Sequence, residues 1–406
     1  MRQDSRPAQP GDQTEAGATP QDGADARSAL AARIAARIAA SGGWLPFDEY
    51  MAEALYAPGL GYYSGGRQIF GTRPEGGSDF VTAPELSPFF ARALAVQVRE
   101  GLAAAQSDQL WEFGAGTGAL AERLLEALDA DDADEDGMLR SPVRYTIVEL
   151  SGHLRERQRE RLARFGPAVR WLDAWPDRIE GVVIGNEVLD AMPVKLLHRA
   201  GGRWHERGVA NAPEPTAQRP FAFADLADPF EPEGETQAAP ALQADVFVEG
   251  TVTEIHPVAE AFVASLAERL ARGLALLVDY GFPEHEYYHP QRTGGTLMCH
   301  RAHRADTDPL ADVGEKDITA HVNFSGVALA AQEAGLQVLG YTSQARFLIN
   351  SGLVDLLSGA SVAERANAQK LLNEHEMGEL FKVIALARGI ELDPVGFRTG
   401  DRSHML

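Results

Sequence analysis

Leu110-Trp111-Glu112-Phe113-Gly114-Ala115-Gly116-Thr117-Gly118-Ala119-Leu120 is the stretch that decides the fold. A short apolar run leads in, three glycines alternate, and an amphipathic run over 119–128 follows. That order spells strand, glycine-rich turn, helix. Glycine accepts positive φ and puts no Cβ between backbone and ligand. The helix behind it offers unpaired N–H groups. Gly114, Gly116 and Ala119 also satisfy the dinucleotide fingerprint G-x-G-x-x-G/A. Glu112 weighs between the two readings. A carboxylate there repels a pyrophosphate and suits a ligand with an ammonium or sulfonium group. A second strand, 145–148, ends in Glu149, where an acid can bind both hydroxyls of a ribose. The acidic stretch 129–137 reads as a loop insertion that lengthens the usual ~20-residue spacing to that acid.

Outward from this unit, strands and helices alternate. Residues 153–165 read as a helix whose arginines alternate with acids, a solvated face. A strand over 169–172 ends at Asp173. The run Gly181-Val182-Val183-Ile184-Gly185 is apolar throughout, as a buried parallel strand is, and ends in Asn186-Glu187-Val188-Leu189-Asp190. Residues 194–209 form a hairpin turning at Gly201-Gly202, and 211–240, rich in Pro, Glu and Ala, read as an extended insertion loop. Strands are expected at 244–248 and 252–255, a helix at 257–272, and a strand at 274–278 ending in Asp279. A polar loop follows, with His285, His289, His300 and His303. A helix at 325–334 and strands at 337–341 and 381–387 complete the pattern. On the N-terminal side, residues 1–26 lack large apolar side chains and read as disordered. A helix spans 28–40, a second runs through Leu55, and 56–85 is an irregular aromatic and polar segment, a lid or binding wall. Ser87-Pro88 starts the helix before the glycine turn.

The fold class is therefore α/β, a doubly wound Rossmann-like sheet with an N-terminal helical and loop region and an inserted subdomain. The expected divisions are a tail at 1–27, an N-terminal region at 28–108, a cofactor-binding core at 109–200, an insertion at 201–256, the rest of the core at 257–390 and a flexible tail at 391–406. The ligand crevice belongs at the C-terminal ends of the strands. Glu112, Glu149, Asp173, Asn186, Glu187 and Asp279 all fall at such ends.

The 406 residues are 45% apolar and 24% charged, with a net charge of −22. That balance argues against nucleic-acid binding and against adhesion to anionic membranes, and it permits a basic substrate. Cys299 is the single cysteine, so no intrachain disulfide forms. With no long apolar run or leader pattern, a reducing cytoplasm is the expected location.

The constellation resembles class I S-adenosylmethionine-dependent methyltransferases. It is most similar to the family of the mitochondrial complex I assembly-factor methyltransferase and its bacterial relatives. The residues that carry this are Gly61-Tyr62-Tyr63, Asp79 through Glu85, Glu112 through Gly118, Val148-Glu149, Ser151, Leu154-Arg155, Gln158, Asn186 through Pro193, Asp279-Tyr280-Gly281, Asp317 through Phe324, and Glu376 through Lys382. The family's Thr-Ser-Pro-Glu is Thr82-Ala83-Pro84-Glu85 here, and the insertions at 129–137 and 211–240 are local to this chain. The resemblance implies S-adenosyl-L-methionine as cofactor, held by Thr82, Pro84, Glu85, Glu112, Gly114, Gly116, Gly118, Glu149, Asp173 and Asn186. It implies methylation of an arginine in a protein partner, which in the mitochondrial members is a core subunit of respiratory complex I. Asn186, Glu187 and Asp190 are the expected catalytic residues, because carboxylates one helical turn apart hold a guanidinium well. No metal is expected, since the histidines lack a matching ligand pattern, and His321 is expected to be a structural hydrogen-bonding histidine. Two other readings stay open: a cofactor-binding assembly chaperone with little turnover, and a nicotinamide-dependent oxidoreductase, which Glu112 disfavours.

Overall fold

The computed structural model describes residues 20–65, 82–131, 143–231, 239–243 and 245–406. Expectations for 1–19, for Asp79-Phe80-Val81, for most of the acidic insertion and for 232–238 lie outside the described residues.

The core is a sheet of seven long strands: β1 (Gln109–Phe113), β2 (Arg144–Val148), β3 (Val169–Leu172), β4 (Ile179–Asn186), β5 (Leu270–Phe282), β6 (Gln337–Ser343) and β7 (Phe381–Arg388). Their order is β3-β2-β1-β4-β5-β7-β6, with Val322–Asn323 pairing on β5 as a short eighth strand. The first five are parallel, and β7 is antiparallel to both neighbours. Alternating side chains face opposite layers. Leu110, Val182, Ile184, Leu274 and Leu276 pack under α-helices Pro88–Ala105 and Ala119–Asp131. Trp111, Val183, Ala275 and Leu277 pack under helices Pro257–Arg269 and Phe324–Glu333. Strand order reverses between β1 and β4, so the ligand crevice of such a sheet opens above those two strands.

The inserted unit is an antiparallel sheet of Leu45–Pro46, Lys195–Ala200, Arg203–Asn211, Phe221–Pro229 and Val252–Ile255. Helices Pro20–Ala40 and Phe47–Tyr56 cover it through Leu30, Ile34, Phe47 and Tyr50. Met298–Arg301, Arg304–Asp306 and Asp317–Thr319 form a third small sheet.

Four expectations are corrected. The first helix starts at Pro20 rather than Ser28, and Arg27 on it pairs with Glu315 at 3.1 Å. Strand Phe221–Pro229 lies where a loop was expected. Phe221 and Phe223, two apart, bury against Tyr50 and Phe47, with ring centroids 5.9 Å and 6.1 Å away, and that alternation outweighs the loop-like composition. Residues 245–248 form a turn rather than a strand, with Phe247 packed on Trp204 at 5.3 Å. Residues 391–406 are packed rather than loose. Phe397 is buried against Phe347, and Asp401 accepts the Tyr341 N–H at 2.9 Å.

Candidate active site

Phe113 on β1 pairs with Val148 on β2 and with Gly185 on β4. Gly114, Glu149 and Asn186 therefore leave three adjacent strands in a row. Above them is a cavity of about 1010 Å³. Gly114, Gly116 and Gly118 have φ of 66°, 52° and 81°. At Gly114 a Cβ would stand 2.3 Å from Val188 Cγ2, so the turn and the segment after β4 approach as only glycine allows. Gly118 does not line the cavity; it faces Gln158 and Leu162 and sets the packing of helix Gly152–Arg161.

Glu112 is 2% exposed and accepts the Tyr145 O–H at 2.8 Å. Burial, with Glu149's charge adding, pushes its carboxyl up to about 8. Glu149 accepts the Ser151 N–H at 2.9 Å and Gln158 Nε2 at 3.1 Å, and burial raises it as well. Gln158 also donates to Gly116 O at 2.8 Å, which ties the glycine turn to the acid. Thr82 and Pro84 line the cavity, while Glu85 lies outside it. Glu85 accepts from the Thr117 hydroxyl and from Arg161 at 3.0 Å, so it braces the turn from behind. Asp173 is placed differently from the expectation. It follows β3, the strand at the sheet edge, and its side chain is 71% exposed and pairs with Arg155 at 3.1 Å. Trp175, which sequence reading missed, lines the cavity and packs on Phe113 and Phe262.

The segment after β4 forms the other end. Glu187 has φ of 52°, unusual outside glycine and costing about 1–3 kcal/mol. Its N–H donates to Val278 O at 2.8 Å. Asp279 accepts the N–H groups of Val188, Leu189 and Asp190 at 3.1, 2.9 and 3.2 Å, so it anchors the turn from inside β5 rather than facing the cavity. Asn186 Nδ2 donates to Glu187 Oε1 at 3.1 Å, and the Ala83 N–H bonds the same carboxylate. Burial, followed by the charge of Asp190, pushes Glu187 up to about 8. Burial pushes Asp190, which accepts the Tyr280 hydroxyl, up to about 6. Asn186 Oδ1 and Asp190 Oδ1 are buried without a partner among the described residues. The ring of His321 hydrogen-bonds the Thr296 backbone, in keeping with the structural role expected of it, while its Nδ1 has no partner among the described residues. Burial lowers His321 to about 4, and it stacks on Phe282.

Five carboxylates line the cavity, those of Glu112, Glu149, Glu187, Asp190 and Asp317, and no Lys or Arg does among the described residues. Two acidic clusters result, Glu112 with Glu149 and Glu187 with Asp190. A pyrophosphate would meet carboxylates here with no Lys or Arg among the described lining residues to offset them.

Residues 91–342 match the family model of S-adenosyl-L-methionine-dependent methyltransferases. The chain belongs to that family. A Burkholderia thailandensis protein crystallised with S-adenosyl-homocysteine bound is 50% identical, with a TM-score of 0.87, over 96% of this chain and 100% of that one. The Drosophila melanogaster mitochondrial protein arginine methyltransferase NDUFAF7 homolog is 28% identical over 94% of this chain and 89% of its own. The Danio rerio protein arginine methyltransferase NDUFAF7 is 29% identical over 87% and 85%. This methyltransferase's cavity fits the family's cofactor, S-adenosyl-L-methionine. Its glycine cradle admits backbone contact, its carboxylates suit a ligand carrying both an ammonium and a sulfonium, and Asn186 Oδ1 is a buried acceptor with no partner among the described residues. Among the described residues no helix is long and apolar enough to cross a membrane, and no cluster of three or more His, Cys, Asp or Glu is arranged to hold a metal.

Proposed function

We propose that this methyltransferase modifies an arginine side chain of a protein partner, and that its partner is a subunit of a respiratory complex I-like assembly. The observation that carries the reading is the acidic cluster Glu187–Asp190 at one end of a cavity with no Lys or Arg among its described lining residues. A guanidinium keeps its charge at any physiological pH and offers five N–H donors in a fixed fork. Carboxylates on a rigid turn orient it and draw its charge away from the attacking nitrogen. The names of the NDUFAF7 relatives support the same substrate class.

In this reading the cofactor is held by Thr82, Pro84, the Gly114–Gly116 backbone, Glu112, Glu149 and Asn186, with Glu112 facing its ammonium and Glu149 its ribose hydroxyls. Bound there, it supplies an electrophilic methyl group on a sulfonium. Asn186 and Glu187 lie between the cofactor end and Asp190. Glu187 and Asp190 hold the acceptor, and Glu187 takes the proton that the methylated nitrogen sheds. Trp175, Phe113 and Phe262 keep one wall apolar. The test is labelled-methyl transfer into a cell lysate, followed by mass-spectrometric mapping of the acceptor. Label on arginine supports the reading; label on lysine, a chain terminus or a small molecule refutes it.

A further inference from the structure

We infer that Asp317, held by Tyr63 and backed by the stacked rings of Tyr56 and Tyr63, is the third carboxylate of the acceptor site and selects a guanidinium over an ammonium. The inference rests on the arginine reading above and deepens it.

The wall comes from two places in the chain. Tyr56 ends one helix and Tyr63 sits in the loop after it. Their rings stack with centroids 5.5 Å apart and 16° between planes. Tyr62 and Tyr63 return N–H groups to Ala54 O and Leu55 O, both at 2.9 Å, which closes the loop. Gly61 makes that closure possible, since a Cβ there would lie 2.6–2.7 Å from the backbone of Ala57 and Leu55. Each hydroxyl is committed. Tyr56 donates to Ala191 O at 2.8 Å, next to Asp190, and Tyr63 donates to Asp317 Oδ1 at 2.9 Å.

Asp317 is 3% exposed and lines the same cavity as Glu187 and Asp190. Its strand belongs to the third small sheet, so it approaches from a different unit than the turn after β4. Its charge adds to the rise of Glu187, which places the two carboxylates within electrostatic reach. A compact ammonium needs one or two carboxylates. A planar fork of five donors gains from a third, and its flat face gains from an aromatic ring. Carboxylates on separate walls with a tyrosine face beside them match the second ligand.

The probes are n-butylguanidinium and n-butylammonium, titrated into the full-length protein saturated with S-adenosylhomocysteine. Wild type should bind the guanidinium the more tightly. Asp317→Asn should weaken the guanidinium by roughly 10-fold to 100-fold while changing the ammonium little, and with the thermal shift given by S-adenosylhomocysteine retained. Tyr63→Phe keeps the carboxylate and removes its hydrogen bond; it should weaken the guanidinium by a smaller factor and serves if Asp317→Asn does not fold. Unchanged guanidinium affinity in these variants overturns the role of Asp317 alone. Equal loss of both probes overturns selectivity. A wild type that binds neither probe overturns the arginine reading itself.

Discussion

Replacing Glu112 with glutamine removes one ionisable oxygen from the cofactor end of the cavity and keeps its shape. In the free protein this carboxyl sits at about 8 because it is buried and has Glu149 as a neighbour. It is therefore mostly protonated below that pH. A ligand bringing an ammonium to it requires the carboxylate, so binding must expel the proton. The sign follows: affinity is full above pH ~8 and falls as the pH drops, by about tenfold per unit until the bound-state pKa is reached. At pH ~6 roughly one molecule in a hundred carries the charge unliganded, against about half at pH ~8, so binding should be about 50-fold weaker than at pH ~8, or about 2.3 kcal/mol. The hydroxyl of Tyr145 remains to bond glutamine, so Glu112→Gln should fold normally. It should bind weakly at pH ~8 and show a flattened pH profile.

Calorimetric titration of S-adenosylhomocysteine in two buffers of different ionisation enthalpy counts the protons released. This ligand keeps the ammonium and lacks the sulfonium, so it isolates the interaction assigned to Glu112. Close to one proton should leave wild type at pH ~7 and markedly fewer should leave Glu112→Gln. Absence of proton release from wild type, or a slope that survives the substitution, refutes the reasoning. A steeper slope with S-adenosylmethionine than with S-adenosylhomocysteine would assign a second carboxylate to the sulfonium.

Glu187→Gln should leave S-adenosylhomocysteine affinity within about threefold and cut single-turnover methyl transfer by roughly 100-fold or more; normal turnover would remove Glu187 from the acceptor site. Gly114→Ala places an L-residue at φ of 66° with its Cβ 2.3 Å from Val188 Cγ2. Its strain of about 1–2 kcal/mol should lower the melting temperature by a few degrees and shift Glu187 through its neighbour. Cofactor affinity should fall at least about tenfold, and a thermal shift equal to wild type would contradict this. A chain starting at Ser28 loses the Arg27 ion pairs with Glu315 and Asp312, contributing about 0–1 kcal/mol. It should keep its cooperative melt and its turnover, and loss of either would give the first helical turns a larger part than their contacts explain.

Local pattern made the cofactor end legible. The glycine alternation, the apolar run before it and the acid at the end of β2 each sit within a few residues of the feature they announce. Pairing of Phe113 with Val148 and Gly185 then sets them side by side. Asp173 departs from the expectation because β3 is the edge strand of the sheet, and the acid after it is largely exposed to solvent. Asp279 stands inside β5, which runs on to Phe282 beyond the expected end. That displacement turns a possible ligand contact into the anchor of three N–H groups. The acceptor wall was legible only as family motifs, since Tyr63 and Asp317 meet through a loop and a three-residue strand that no periodicity marks.

Among the described residues, Tyr63 links the two ends of the cavity. Its carbonyl accepts the Ser151 hydroxyl at 3.3 Å, and the Ser151 N–H in turn bonds Glu149. Its own hydroxyl donates to Asp317. One residue thus spans the ribose-side acid and the proposed acceptor-side acid, while Gln158 fastens the first of these to the glycine turn. Methyl transfer depends on alignment of donor and acceptor more than on acid strength. A scaffold that fixes both acids through shared hydrogen bonds supplies that alignment before either cation arrives. Like charges held at this density raise one another's pKa values, and in the proposed reading two cationic ligands relieve them. The backbone at Glu187 carries strain at the same place: with φ of 52° its N–H bonds Val278 O at 2.8 Å and its carboxylate lines the cavity beside Asp190.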